Sequence, residues 1–264
     1  MGIVDRFESL VTRAPALVAL DECALLIAVA ARGEQAVDVE RALQQLDDLA
    51  AGCGAPTFDA LRRHLFEHER FRGNTANYDD PDNSFLDRVL DRRLGIPITL
   101  STVMIETGRR AGVPVLGVGM PGHFIVRAAD DPQLFCDPFG GGRVLDEQGC
   151  AQLLATVTRG SVQFDRGLLA PITSTRVLAR MLTNLEQGPF GADPLRMRTL
   201  VELHRTIPDL GPQERLALAS RLAALGRFRD AAEVVDPAAG AATEAATDGT
   251  ALRQHARAFR ARLN

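Results

Sequence analysis

The chain of 264 residues contains no lysine: all 30 of its basic residues are arginine. Without a lysine amine there is no Schiff-base or pyridoxal chemistry, no Walker-type phosphate lysine and no lysine general base. Cysteine is scarce as well. Cys23, Cys53, Cys136 and Cys150 make no C-x-x-C pair, so neither a zinc ribbon nor a disulfide scaffold is indicated, and the thiols are expected to be reduced and buried. Long apolar runs are missing: the longest, Cys23 to Ala31, falls far short of the ~20 residues that span a bilayer. The stretch Met1 to Arg13 carries Asp5 and Glu8 and has no apolar signal core. These absences point to a cytoplasmic chain with no membrane partner. A net charge of −4 gives no basic footprint, which argues against nucleic acid. What remains is histidine, carboxylate, hydroxyl and thiol chemistry on a globular chain that is 46% apolar.

Apolar positions at three- and four-residue steps in Ala19 to Ala31, Val37 to Ala50 and Phe58 to Phe71 predict an all-helical region over 1–72. At Gly73 the pattern changes to a turn-rich run that ends at a predicted helix with Ser84 as N-cap and Asp87 three residues on. Gly95 is the predicted stop of that helix. Pro97 opens the next, which carries Leu100, Val103 and Met104 and ends at Gly112. Val113 to Met120, His123 to Arg127 and Leu134 to Asp137, separated by Pro/Gly/Asp turns, predict an antiparallel meander. The fold class is therefore α+β, with a core over 73–170. Helical periodicity returns at Arg176 to Leu185, Leu195 to Thr206, Pro212 to Leu225 and Phe228 to Val235, which read as two hairpins over 171–236. There Leu225-Gly-Arg-Phe-Arg-Asp-Ala-Ala matches the second-helix signature of a tetratricopeptide-like repeat. Residues 237–264 read as an Ala/Gly/Thr-rich linker and a terminal helix.

Two constellations could carry chemistry. His64-Leu-Phe-Glu67-His68 spells H-x-x-E-H, in which two histidines one turn apart bind zinc beside a glutamate base; a solvated helix face explains the same residues. His123 at the start of one strand and Asp137 at the end of the next could pair as base and orienting carboxylate, or His123 could be an ordinary rim histidine. Arg92 and Arg93 complement the end of their helix, and Arg127 follows a strand; each could also meet an anionic ligand, although a structural role suffices.

The ordered segments Asn83-Ser-Phe-Leu, Arg92-Arg-Leu-Gly-Ile-Pro-Ile-Thr-Leu-Ser, Ala111-Gly-Val-Pro, Gly117-Val-Gly-Met-Pro-Gly-His-Phe-Ile-Val-Arg and Cys136-Asp-Pro-Phe-Gly-Gly-Gly resemble the bacterial SirB-type transglutaminase-like family. The resemblance implies a papain-like transglutaminase core joined to tetratricopeptide-like helices. It places His123 and Asp137 at the family's His and Asp positions, and the nucleophile near Pro97 to Thr99, where this chain has no cysteine. Thr99 and Ser101 are the hydroxyls that could substitute for it, or they could simply begin the helix. Asn83 and Ser84 could line the cleft. The expectation is a non-catalytic binding or regulatory protein with no cofactor and no metal, whose partner is a protein or peptide held by the cleft or the helical hairpins. The alternatives are an amide-bond hydrolase or acyl transferase using Thr99 or Ser101 with His123 and Asp137, and a zinc hydrolase at His64 and His68. Oligomeric state does not follow from the sequence.

Overall fold

The computed structural model describes residues 1–14, 17–188 and 194–235; the predicted linker and terminal helix lie outside them. The N-terminal third holds α1 (Ile3–Val11), α2 (Leu20–Arg32), α3 (Val39–Ala51) and α4 (Phe58–Arg63). Every residue of α2 from Cys23 to Val29 is buried, as expected of a helix enclosed on all sides rather than laid on a surface. Helical periodicity over Phe58 to Phe71 predicts one helix, but the backbone leaves α geometry at His64. There Glu69 N–H donates to His64 C=O at 2.9 Å, closing a π turn over His64–His68.

The next helix, α5 (Leu86–Arg92), differs from expectation at both ends. Ser84 is not its N-cap: Ser84 ends a 3-10 turn, Pro81–Ser84, and Phe85 holds the cap position with no side-chain bond. The turn starts upstream because Asp80 accepts the Asp82 N–H and Pro81 presets the first φ. Asp87, expected to complete the cap, is bound instead to Arg32 at 2.6 Å. Nor does Gly95 stop the helix. Arg93 does, in the left-handed region at φ 59°, held there by its guanidinium 4.5 Å from the centroid of Phe71 and by Glu69 at 2.9 Å. Gly95 is used for close approach. It belongs to β2 (Leu94–Gly95), which pairs in parallel with β1 (Arg72–Gly73), and a Cβ there would stand 2.9 Å from Thr99 Oγ1.

Pro97 opens α6 (Pro97–Arg110) as predicted, and nearly every side chain of this helix is buried. The four-stranded meander follows: β3 (Val115–Val118), β4 (Ile125–Ala128), β5 (Phe135–Asp137) and β6 (Arg143–Leu145), all antiparallel in that order. Sequence periodicity shows three of these strands; β6 is too short, with only Leu145 buried, to leave an alternating signal. The sheet has two apolar faces. Val126, Ala128 and Cys136 face the main core, which extends from Phe7 to Val235 and takes in helices from every part of the chain. Ile125, Phe135 and Leu145 face a smaller cluster with Cys150 and Leu154 of α7 (Glu147–Val157).

The chain ends, within the described residues, in α8 (Ser174–Gln187), α9 (Pro194–Thr206), α10 (Pro212–Ala224) and α11 (Phe228–Val234), all at their expected places. α9 packs on α1 and α2, so these helices close the N-terminal bundle, and α10 packs on α11 through a turn at Gly226 with φ 77°. Inside, Glu186 of α8 holds His204 of α9 at 2.8 Å and Arg221 of α10 at 2.6 Å. A second buried network joins α2 to α6, where Glu106 accepts from Arg109 at 2.8 Å and Arg110 at 2.9 Å while Arg110 also binds Asp21. Burial first, and the charge of Asp21 second, push the Glu106 carboxyl above its usual range. Among the described residues no helix is long and apolar enough to cross a membrane.

Gly108 tests the packing of α6. A Cβ there would sit 2.6 Å from the Val113 carbonyl oxygen and 2.9 Å from Leu61 Cδ2. Alanine is the better helix former, by about 1 kcal/mol. Gly108→Ala is nevertheless expected to destabilise the protein by about 1–3 kcal/mol, the range for overpacking. Urea unfolding gives the sign; a stabilised variant would contradict the close approach.

Candidate functional site

The site centres on the chain between β3 and β4 and on the end of β5. His123 lies two residues before β4, and its Nε2 is 3.0 Å from Asp137 Oδ1, with both side chains buried. The pair follows from the meander. Antiparallel pairing of β4 with β5, in the register Val126↔Cys136, brings the start of one strand beside the end of the other. Alternation sends Cys136 to the main core with Val126, while Asp137 meets His123. The second carboxylate oxygen of Asp137 is 3.5 Å from Arg143 on β6.

The glycine turn after Asp137 fits the carboxylate closely. A Cβ at Gly140 would stand 2.6 Å from Asp137 Oδ2, and Gly142, at φ 79°, donates its N–H to the Asp137 carbonyl at 3.0 Å. The same turn places the Phe139 ring edge-on to His123 at 6.0 Å and to Tyr78 at 5.8 Å. Phe139 also rests on Gly73 of β1, whose partner Gly95 lies two residues before α6. With Nε2 engaged by Asp137, Nδ1 is the remaining nitrogen of the His123 ring.

Arg180 of α8 was invisible to sequence reasoning because it lies nearly sixty residues downstream with no motif around it. It donates to the carbonyl oxygens of Met120 and His123 at 2.9 and 3.2 Å, and its guanidinium lies 5.5 Å from the Phe124 centroid. Gly119 admits it: a Cβ there would lie 2.5 Å from Arg180 Nη1. Burial lowers the Arg180 pKa. The buried guanidinium pins the backbone on which His123 is carried.

The two hydroxyls near the start of α6 are engaged or enclosed. Thr99 donates its hydroxyl to the Asn83 carbonyl at 2.7 Å and accepts the Ile96 N–H at 3.2 Å, so it caps the helix. Ser101 is fully buried, and among the described residues its Oγ has no hydrogen-bond partner. Neither hydroxyl bonds to His123. Asn83 does not line a cleft: it is wholly buried, with its side chain spent on Asn74 at 3.0 Å and on the carbonyls of Asn77 and Tyr78. Ser84 lines a groove of about 330 Å³ with Tyr78, Asp80, Ile96, Asn184 and Gln187, beside the start of α6 and without His123 or Asp137.

The four cysteines are free and buried. Burial pushes the Cys23 and Cys150 thiols up to about 12, with nearby carboxylates adding to it, and raises Cys53 and Cys136 as well. In the H-x-x-E-H stretch the His64 and His68 ring centroids are 6.3 Å apart. Its residues occupy the π turn, the His64 ring packs against Gly52, and Glu67 is paired with Arg62 at 2.9 Å. Among the described residues, no group of three or more His, Cys, Asp or Glu is placed to hold a metal ion.

The family model of the transglutaminase-like superfamily matches residues 24–183, which covers α2 through most of α8 and the whole His123–Asp137 site. The chain belongs to the transglutaminase-like superfamily. Among its relatives, the UPF0162 protein of Xylella fastidiosa strain 9a5c is 44% identical over 130 residues, 48% of this chain and 46% of that protein. The UPF0162 protein PA3419 of Pseudomonas aeruginosa is 32% identical over 203 residues, 74% of this chain and 73% of that protein. F-box only protein 21 of Mus musculus is 29% identical over 136 residues, 48% of this transglutaminase-like chain and 21% of that protein. The chain thus spans just under half of the Xylella relative. No solved structure matches it.

Two outcomes test this description. Thr99→Val keeps the shape and removes the cap, at an expected cost of about 1 kcal/mol in chemical denaturation. The cysteines should be inert to a thiol reagent at pH 7.5 in the native protein and react fully once it is unfolded. Because their folded pKa values are raised, their share of the stability is present below the unfolded thiol pKa of about 8.5 and falls as pH rises above it. Rapid native labelling of any one of them would contradict the assignment.

Proposed function

We propose that this protein binds a protein or peptide in a transglutaminase-like cleft without turning it over. One observation carries the reading: the base and its orienting carboxylate, His123 and Asp137, are assembled at 3.0 Å, while the hydroxyls on the first turn of the neighbouring helix are capped or sealed and none reaches the base. A serine or threonine nucleophile needs a base hydrogen-bonded to it in the ground state, since its own pKa is far above neutral. A thiol relaxes that need, and no cysteine stands at the start of α6.

Within the superfamily we place the chain in the SirB-type branch, on the ordered motifs from Asn83 to Gly142. We read the core as papain-like and the α10–α11 pair as a tetratricopeptide-like hairpin that offers a second surface to a partner. The groove at Tyr78, Ser84 and Ile96 suits an extended peptide, because amides from Asn184 and Gln187 face an apolar wall. Four free thiols fit a reducing compartment and support a cytoplasmic location.

The test is catalytic silence. The purified full chain, given glutamine-amide, peptide and activated-ester substrates, is expected to release product no faster than His123→Ala. A fluorophosphonate probe is expected to leave the intact mass unchanged. Turnover that His123→Ala abolishes, or an adduct on Thr99 or Ser101, overturns the binding reading in favour of an acyl-transfer enzyme.

A further inference from the structure

On the α7 side of the sheet, away from the groove at Tyr78, lies a second recess of about 160 Å³, on the order of five times the volume one water occupies in the liquid. Arg127 of β4, paired across the strands with Leu116 and Phe135, lines it. Phe135, Leu169 and Pro132 supply apolar wall, and Arg166 and Glu147 stand at the rim, 3.4 Å from each other. Four residues of extended chain separate Arg127 from His123, about 13 Å. The recess is therefore not part of the His123–Asp137 site.

Arg127 is the unusual member. Its Nε is buried and has no hydrogen-bond acceptor, and no carboxylate lies within ion-pair distance of its guanidinium among the described residues. Other part-buried arginines have acceptors: Arg32 has Asp87, Arg110 has Asp21, Asp47 and Glu106, and Arg180 has two carbonyls. A guanidinium is never deprotonated, so it cannot escape the cost of burial by losing its charge. A buried donor without an acceptor is costly, and more so when charged. A ligand carboxylate in the recess would offer Arg127 the charged acceptor that no protein group supplies among the described residues.

We propose that this recess is a binding site for a small organic carboxylate, with Arg127 as the group that receives it. Three features select that class. The planar fork of arginine matches the two oxygens of a carboxylate. Two arginines against Glu147 leave a single net positive charge, which suits a monoanion better than a doubly charged phosphate. The wall of Phe135, Leu169 and Pro132 holds a short apolar tail, which inorganic anions lack. Arg166 is engaged with Glu147, so Arg127 is the anchor and Arg166 the outer guard.

The experiment is calorimetric titration of the full chain with butyrate and, separately, with inorganic phosphate, at constant ionic strength in chloride. Butyrate is expected to bind saturably, and Arg127→Gln to weaken that binding at least tenfold while leaving the thermal midpoint of the unliganded protein the same or higher. Ala170→Phe, which fills the recess from its exposed rim and leaves Arg127 intact, is expected to block butyrate equally and serves if Arg127→Gln does not fold. Absence of saturable butyrate binding, or binding that survives both substitutions, overturns the site. Phosphate binding tighter than butyrate overturns the carboxylate assignment. None of these outcomes bears on catalytic silence at His123, so the two proposals fail independently.

Discussion

A hydrogen bond from the Thr99 hydroxyl to the Asn83 carbonyl, 2.7 Å long, fixes the start of α6 against the loop that precedes α5. α6 lies between the helical bundle and the sheet, buried along most of its length, so little of its backbone end can be satisfied by water. The loop supplies what water cannot. Asn83 braces Asn74 and gathers the carbonyls of Asn77 and Tyr78, Asn74 N–H donates to the Gly95 carbonyl, and Gly95 lies against Thr99 itself. Tyr78 and Phe139 then carry the arrangement across to His123. The capped helix end and the histidine are thus set by one continuous contact path, and the capping that holds the path together is what occupies the hydroxyl nearest the expected nucleophile position.

Polar groups hold the rest of the interior in the same manner. Glu106 with Asp21 and Arg110, and Glu186 with His204 and Arg221, each tie helices from distant parts of the chain. Buried pairs of this kind add little net stability, because desolvation offsets attraction, but losing one partner leaves an uncompensated charge and costs several kcal/mol. Their effect is to fix which helices meet. With arginine as the cation throughout, each contact has a planar fork instead of the point charge of lysine, so direction is specified along with proximity.

The sequence was most legible where periodicity or turn chemistry acts locally. The helices from Leu20, Val39, Pro97, Ser174 and Pro212 begin within two residues of their expected places, and the His123–Asp137 pairing follows from adjacent strands with a short connection. Expectation failed where a tertiary contact overrode the local signal. Ser84 carries an N-cap side chain, yet Asp80 and Pro81 start a turn upstream and make that cap unnecessary. Arg93 takes a left-handed conformation that glycine would adopt more cheaply, because Phe71 and Glu69 hold its side chain. Arg180 had no local signal at all, since its partners are backbone carbonyls whose positions depend on the completed fold.

Arg127 and Arg180 show how one residue type serves two ends on the same strand-and-loop unit. Both are buried in part beside β4, and among the described residues neither is paired with a carboxylate. Arg180 is satisfied by two carbonyl oxygens of the segment that carries His123, so its charge is spent on holding the backbone in place. Arg127 points into a recess where the sheet offers only side chains of Phe135 and its apolar neighbours, so its hydrogen-bonding capacity is left over. A fold that needed only structural cations would have given both the same treatment. That it satisfies one from the backbone and sets the other on the wall of a recess is the physical ground for separating a positioning arginine from a receiving one.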